Sequence, residues 1–228
     1  MVSERSLRRL RELIQRIVEA ETDDFFELAK IAGLNPAKDF STANLSGLDL
    51  RSAQLAGANF IATNLSRANL VNSVLTEASL INANLVSAML VNANLNGANL
   101  VSADMMGVNL VRAQLLSANL TGANMTQANL NHADLRRAVL IGCKLDAASL
   151  HLASLNHVDL RRSSLTKADF TGANLYGTNL SNADLRWANL TDVNLAGATF
   201  EQTLLGGNQG LTRDVVADLK RRGAIFEG

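Results

Sequence analysis

The amino-acid sequence predicts an all-β solenoid, a coil of very short extended sides with a helical segment at either end. Three observations carry this. Every fifth residue from Phe40 to Leu205 is Leu, Phe or Met, 34 positions without an exception. Two residues after these stand Gly47, Gly57, Gly97, Gly107, Gly122, Gly142, Gly172, Gly177 and Gly197, interspersed with Ser, Asn and Arg at the equivalent positions. Two residues before them the side chain is small: Ala at most units, Ser, Thr, Val or Cys at others, with Leu48 the one bulky exception from Ala43 onward. A repeat this regular is read ahead of local propensity.

Residues 3–20 form the first element, an amphipathic helix with Leu7, Leu10, Leu13, Ile14, Ile17 and Val18 on one side. A second helix starts at Thr22, whose hydroxyl can cap a first turn carrying Asp23 and Asp24. It stops near Gly33, with Pro36 beyond and Phe25, Phe26, Leu28 and Ile31 inside. Solenoids need their terminal coils covered, so residues 1–37 are expected to form an N-terminal helical cap. The first helix is also a candidate docking element for another protein.

The repeat occupies residues 38–205. A five-residue step turns an α-helix by about 140°, which would scatter the leucines around its whole circumference. In an extended chain, residues two apart share a side, so Ala118 and Leu120 face one way and Asn119 and Thr121 the other. Five being odd, Met125 would fall opposite Leu120 unless the chain turned a corner within each unit. Glycine at the third position supplies the backbone freedom that such a corner needs. Coils stacked about 4.8 Å apart would then satisfy one another's backbone groups.

The units Ala98-Asn99-Leu100, Ala133-Asp134-Leu135 and Ala183-Asp184-Leu185 resemble those of the pentapeptide-repeat family, and the resemblance runs from residue 38 to 205. It implies a right-handed quadrilateral parallel β-helix of four units per coil, hence about eight coils and a rod roughly 40 Å long at that spacing. From the residues alone the number of sides stays open. Phe40, Phe60 and Phe200 differ by multiples of twenty, whereas Val71, Val86, Val101 and Leu116 align at fifteen.

Residues 206–228 form the last element. Thr212 can cap a short helix through Arg222, Leu211 and Val216 are spaced as a hydrophobic staple, and Gly223 stops it. Ala224-Ile225-Phe226 then offers an apolar tail to the final coil. A short C-terminal helix followed by Gly-Ala-Ile-Phe resembles the endings of cyanobacterial members of the family.

Charge and composition narrow the function. Residues 38–205 contain eleven basic and eleven acidic side chains, so the rod carries neither the basic stripe of a nucleic-acid binder nor the negative field of a DNA mimic. No apolar run approaches the length of a membrane-spanning helix, and Arg5, Arg8, Arg9 and Arg11 interrupt any signal-peptide core. The lone Cys143 sits at a small inward position as a buried substitute for Ala. A cytoplasmic location is expected.

No phosphate loop, cysteine pair or zinc-binding helix occurs, and no cofactor or metal is expected. His132, His151 and His157 fall at outward positions of nearby coils, and Asp134, Asp159, Asp169 and Asp184 are outward polar residues of the repeat. A convex rod without inserted loops offers no water-excluding cleft, so the chain is not read as an enzyme.

Two surface features remain. The position after each central residue is often apolar in the earlier coils, at Ile61, Val71, Ile81, Val86, Val91, Val101, Met106, Val111 and Leu116. These suit strand ladders, and a contiguous patch of them would mark a partner surface or self-association. The second is a later basic group, Arg136, Arg137, Arg161, Arg162, Lys167 and Arg186 with Trp187, in which a four-sided coil stacks Lys167 on Trp187 for a cation–π contact.

The chain therefore reads as a non-enzymatic scaffold presenting flat faces to a protein partner or a second copy, with neither a nucleic acid nor a membrane as partner. The resemblance supplies an alternative, the DNA-mimicking modulation of gyrase found in quinolone-resistance members. A neutral rod predicts no effect on gyrase supercoiling or on its quinolone sensitivity; clear protection in that assay would restore the mimic.

Overall fold

A computed structural model describes residues 4–20, 25–33, 35 and 40–227. The corner recurs at each unit. The N–H of the small residue bonds the carbonyl of the central residue three earlier, as in Ala43 to Phe40 at 3.1 Å and Ala98 to Leu95 at 3.0 Å. The residue before the small one always has positive φ, the requirement of a type II turn. From Thr42 to Gly207 this left-handed corner is glycine at ten units and a residue with a side chain at twenty-four. Glycine is thus the relaxed choice and not a necessity, because the bonds on either side of the corner hold the backbone there.

Those bonds run between coils. The Leu45 N–H donates to Asn64 O at 2.7 Å, the Gly47 N–H to Ser66 O at 2.9 Å, and the Asn64 N–H to Ala43 O at 2.9 Å. Every bridge from Asn44↔Asn64 to Asn189↔Gln209 is parallel and spans twenty residues, so four units make one coil. The fifteen-residue alignment therefore stacks nothing: Val71, Val86, Val101 and Leu116 lie at four different corners. Corners follow so closely that each side carries a single bridged residue, too short for a conventional strand.

Central side chains fill the interior. Those from Phe60 to Leu185 are completely buried, and Phe40 stacks on Phe60 with ring centres 5.8 Å apart. Polar residues at the small inward position are tolerated because each hydroxyl finds a carbonyl. Thr178 Oγ1 donates to Leu155 O at 2.7 Å, Thr203 Oγ1 to Leu180 O at 2.8 Å and Ser73 Oγ to Leu70 O at 2.7 Å. Cys143 does the same, its Sγ lying 2.8 Å from Leu120 O, and burial pushes its thiol pKa up to about 12.

Helix α1 spans Glu4–Val18 and α2 spans Phe25–Ile31. Gly33, with φ of 75°, ends α2, and Ala29 is buried in the hydrophobic core. Thr22, Asp23, Asp24 and Pro36 lie outside the described residues, as do the side chains of Leu7, Leu10, Ile17, Phe25 and Phe26. At the other end α3, Arg213–Arg221, is capped by Thr212, whose side chain accepts the Val215 N–H. Leu211 and Val215 pack against the core, and Leu219 is fully buried.

The C-terminal tail does more than cover the last coil. Strands β1, Leu204–Leu205, and β2, Ile225–Phe226, pair in parallel, with Ile225 N–H donating to Thr203 O at 2.8 Å and Glu227 N–H to Leu205 O at 2.8 Å. Arg222 closes the junction. Its guanidinium bonds Leu195 O at 2.9 Å, Ala198 O and Asp218, and lies over the Phe200 ring 4.9 Å from its centre.

Candidate functional site

The outward residues of each unit flank the corner: one immediately before the central residue, two after it. Where the first is Asn or Asp, its side-chain oxygen accepts the N–H two residues on, as in Asn59 to Ile61 at 3.1 Å and Asn119 to Thr121 at 3.1 Å. These recurrent Asn and Asp residues therefore hold the turn, a role more specific than the surface polarity read from the sequence.

The apolar candidates sort onto the four corners. Ile61, Ile81 and Val101 stack at one, and Val71, Val91 and Val111 at the opposite one. Val86 and Met106 share a third corner, and Leu116 lies at the fourth. All are half-buried against the coils above and below except Met106, which is 43% exposed. Stacking at strand spacing lets β-branched side chains cover each other, so these columns are partly self-satisfied ladders. Three exposed side chains of the rod were missed: Met89, Leu152 and Tyr176. Met89, 42% exposed, occupies a position that is usually polar, bridged to Asn69 and Asn109 and two residues before Val91. Its side shares the Val71, Val91 and Val111 corner. Residues 40–130 hold only six charged side chains, against fourteen in residues 131–205, so Met89 and Met106 lie in the charge-poor part of the rod and Leu152, Tyr176 and Trp187 in the charge-rich part.

The late basic group is less basic than its composition. Arg136, Arg161 and Arg186 each bond the Asp two residues earlier: Arg161 Nε and Nη2 reach Asp159 at 2.8 and 2.6 Å, and Arg136 and Arg186 repeat the fork with Asp134 and Asp184. These guanidinium bonds hold the three carboxyls below the usual carboxylate range. Arg51 and Asp49 do likewise at the start of the rod. The corner cation Arg162 lines an open depression of about 470 Å3 with Arg161, Asn179, Ser181, Asn182, Glu201 and Ile141.

The expected contact of Lys167 with Trp187 does not form. Trp187, 63% exposed, lies instead against Gly207, where an added Cβ would meet its ring at 2.1 Å. Corner side chains lean toward the following coil, as Leu152 does over Gly172 and His157 over Gly177, so Trp187 turns away from Lys167. Among the described residues the cation–π contacts are Lys220 with Phe226 and Arg222 with Phe200. His132 and His151 meet edge-on at 6.0 Å, whereas His157 pairs with Tyr176, so the three histidines do not converge. No group of three or more ligating side chains suited to a metal occurs among the described residues.

The chain matches the family model described as pentapeptide repeats, in eight copies, over residues 53–90, 88–127 and 168–207, and the model of a pentapeptide repeat region over 113–182. Among solved structures it is similar to HetL, a pentapeptide repeat protein involved in heterocyst differentiation regulation from the cyanobacterium Nostoc sp. strain PCC 7120. The two share 34% identity over 74% of this chain and 77% of HetL, with a TM-score of 0.58. It is similar in fold to full-length QnrB1, a plasmid-mediated fluoroquinolone resistance protein, at 16% identity over 80% of this chain and 97% of that one, with a TM-score of 0.60. No match was found among curated proteins.

Proposed function

The chain belongs to the pentapeptide-repeat family, and on that footing we propose that it is a non-enzymatic scaffold whose charge-poor early faces bind a protein partner. The same reading makes the rod right-handed, of about eight coils from its 34 units, with α2, through the buried Ala29, closing one end and α3 the other. The observation that carries it is the side bearing Met89, where an exposed apolar side chain sits beside the Val71, Val91 and Val111 ladder among Asn69 and Asn109, with no charge between them. Depletion of charge around an apolar centre is what the middle of a protein interface requires. The likeness to HetL favours a regulatory role exerted through such contact, and the neutral charge of the rod favours it over mimicry of DNA.

A pair of variants tests this. Met89→Gln with Val91→Thr and Val111→Thr should stay folded by circular dichroism, since Thr is β-branched and suits the ladder, yet weaken partner capture or self-association at least about tenfold. Ile81→Thr with Val101→Thr, at the opposite corner, should leave association unchanged. Identical captured proteins and identical sedimentation for both variants and the parent chain would remove the interface from these faces.

A further inference from the structure

We propose that α1 is an in-plane membrane anchor that attaches the rod peripherally to an anionic lipid surface. Helix α1 is 15 residues long, about 22 Å, too short to span a bilayer and long enough to lie along one. At 100° per residue its six apolar residues, Leu7, Leu10, Leu13, Ile14, Ile17 and Val18, occupy an arc of about 140° shared only with Ser6. Ile14 and Val18, one turn apart on that arc, are 52% and 73% exposed, so at least that edge is not consumed by packing against the rest of the chain.

Charge identifies the occupant. Arg11 borders the arc on one side, and Arg9, then Arg16 and Arg5, on the other. Glu12 lies diametrically opposite the arc and bonds Arg8 there at 3.3 Å. Arg8, Arg9, Arg11 and Arg16 are exposed. An apolar face bordered on both sides by arginine, with Glu12 at the back and Glu4, the first residue of the helix, one step outside Arg11, matches the section of a bilayer interface, where acyl chains lie below the helix and headgroup phosphates flank it. A protein groove would have to supply carboxylates along both walls. Helix α1 carries five Arg and two Glu, a net +3, while the rest of the neutral chain carries −3, so the charge separation also orients α1 toward an anionic surface. The sequence expectation of no membrane partner rested on spanning length and has no bearing on peripheral contact. This anchor involves none of the residues of the proposed partner face.

The test uses the full chain with vesicles of phosphatidylcholine, alone or mixed with phosphatidylserine. The parent chain should sediment with the mixed vesicles and at least about tenfold less with phosphatidylcholine alone, and raising salt from about 0.1 to about 1 M should weaken binding by screening the arginines. Ile14→Glu with Val18→Glu, and separately Arg9→Glu with Arg11→Glu, should each lower binding roughly tenfold or more while the thermal transition of the rod stays in place. A parent chain that ignores the mixed vesicles overturns the anchor, as does equal binding by all three chains. Loss of a captured host protein in the Ile14→Glu and Val18→Glu chain without any vesicle binding by the parent also overturns it, and assigns the face to a protein.

Discussion

Leu120→Asp is expected to abolish cooperative folding of the coils around it. Leu120 is completely buried, its N–H donates to Val139 O at 2.7 Å, and its carbonyl receives both the Ala123 N–H and Cys143 Sγ. The new carboxylate would lie between stacked leucines whose coils have their backbone donors engaged already. Burying a carboxyl without a partner, whether ionised or driven to its protonated form, costs several of the roughly 5–15 kcal/mol by which domains are stable, on top of the lost leucine packing, and each coil depends on its neighbours. Leu120→Ala removes volume alone and should cost about 2–5 kcal/mol. Cys143 reports the difference. Buried and with its pKa raised to about 12, it should resist alkylation near pH 8 in the parent chain and react readily in the Asp variant. An unchanged urea midpoint with Cys143 still protected would show that position 120 does not face the interior.

Gly210→Ala should be the most damaging single-methyl change in the chain's C-terminal part. Gly210 has φ of 81°, and a Cβ there would stand 2.3 Å from Thr191 N, 2.4 Å from Thr191 Cα and 2.7 Å from Leu190 C. All three are backbone atoms, which cannot rotate away as a side chain could. The neighbouring contacts, the Gln209↔Asn189 bridge and the Leu190 N–H bond to Gln209 O at 3.0 Å, would have to open. The expected loss is about 3 kcal/mol or more, with faster hydrogen exchange in α3. Gly142→Ala is the control: its φ of 66° is similar, nothing lies within 4 Å of the added carbon, and its cost should be about 1 kcal/mol. Equal melting temperatures for the two variants would show that the approach of Gly210 to Thr191 is not as close as described.

The inward positions and the corners were legible because each is fixed by a local, repeated constraint. A residue such as Leu120 has no room to be polar, and the position of Gly122 must take positive φ. The twenty-residue register was not legible from the residues, since a five-residue unit is compatible with three sides or four until the coils are stacked. Contacts between coils were the weakest ground. Lys167 and Trp187 do share a corner, but the lean of corner side chains toward the following coil sends the indole to Gly207. Met89 was overlooked because its position is polar in most units, and the strand formed by Ile225 and Phe226 because two residues carry too little pattern to identify pairing.

The twenty-residue register has a consequence for how such a chain can change length. Removing one whole unit would leave every remaining core leucine in place, yet would swing all downstream surfaces by a quarter turn relative to those upstream. The Met89 side would then look out over a different set of late residues. Removing four units would shorten the rod by one coil and leave the compass bearing of every surviving residue unaltered. Insertions and deletions that fold equally well are therefore unequal in what they do to any partner that touches two coils at once, and only multiples of twenty residues leave the face it reads continuous.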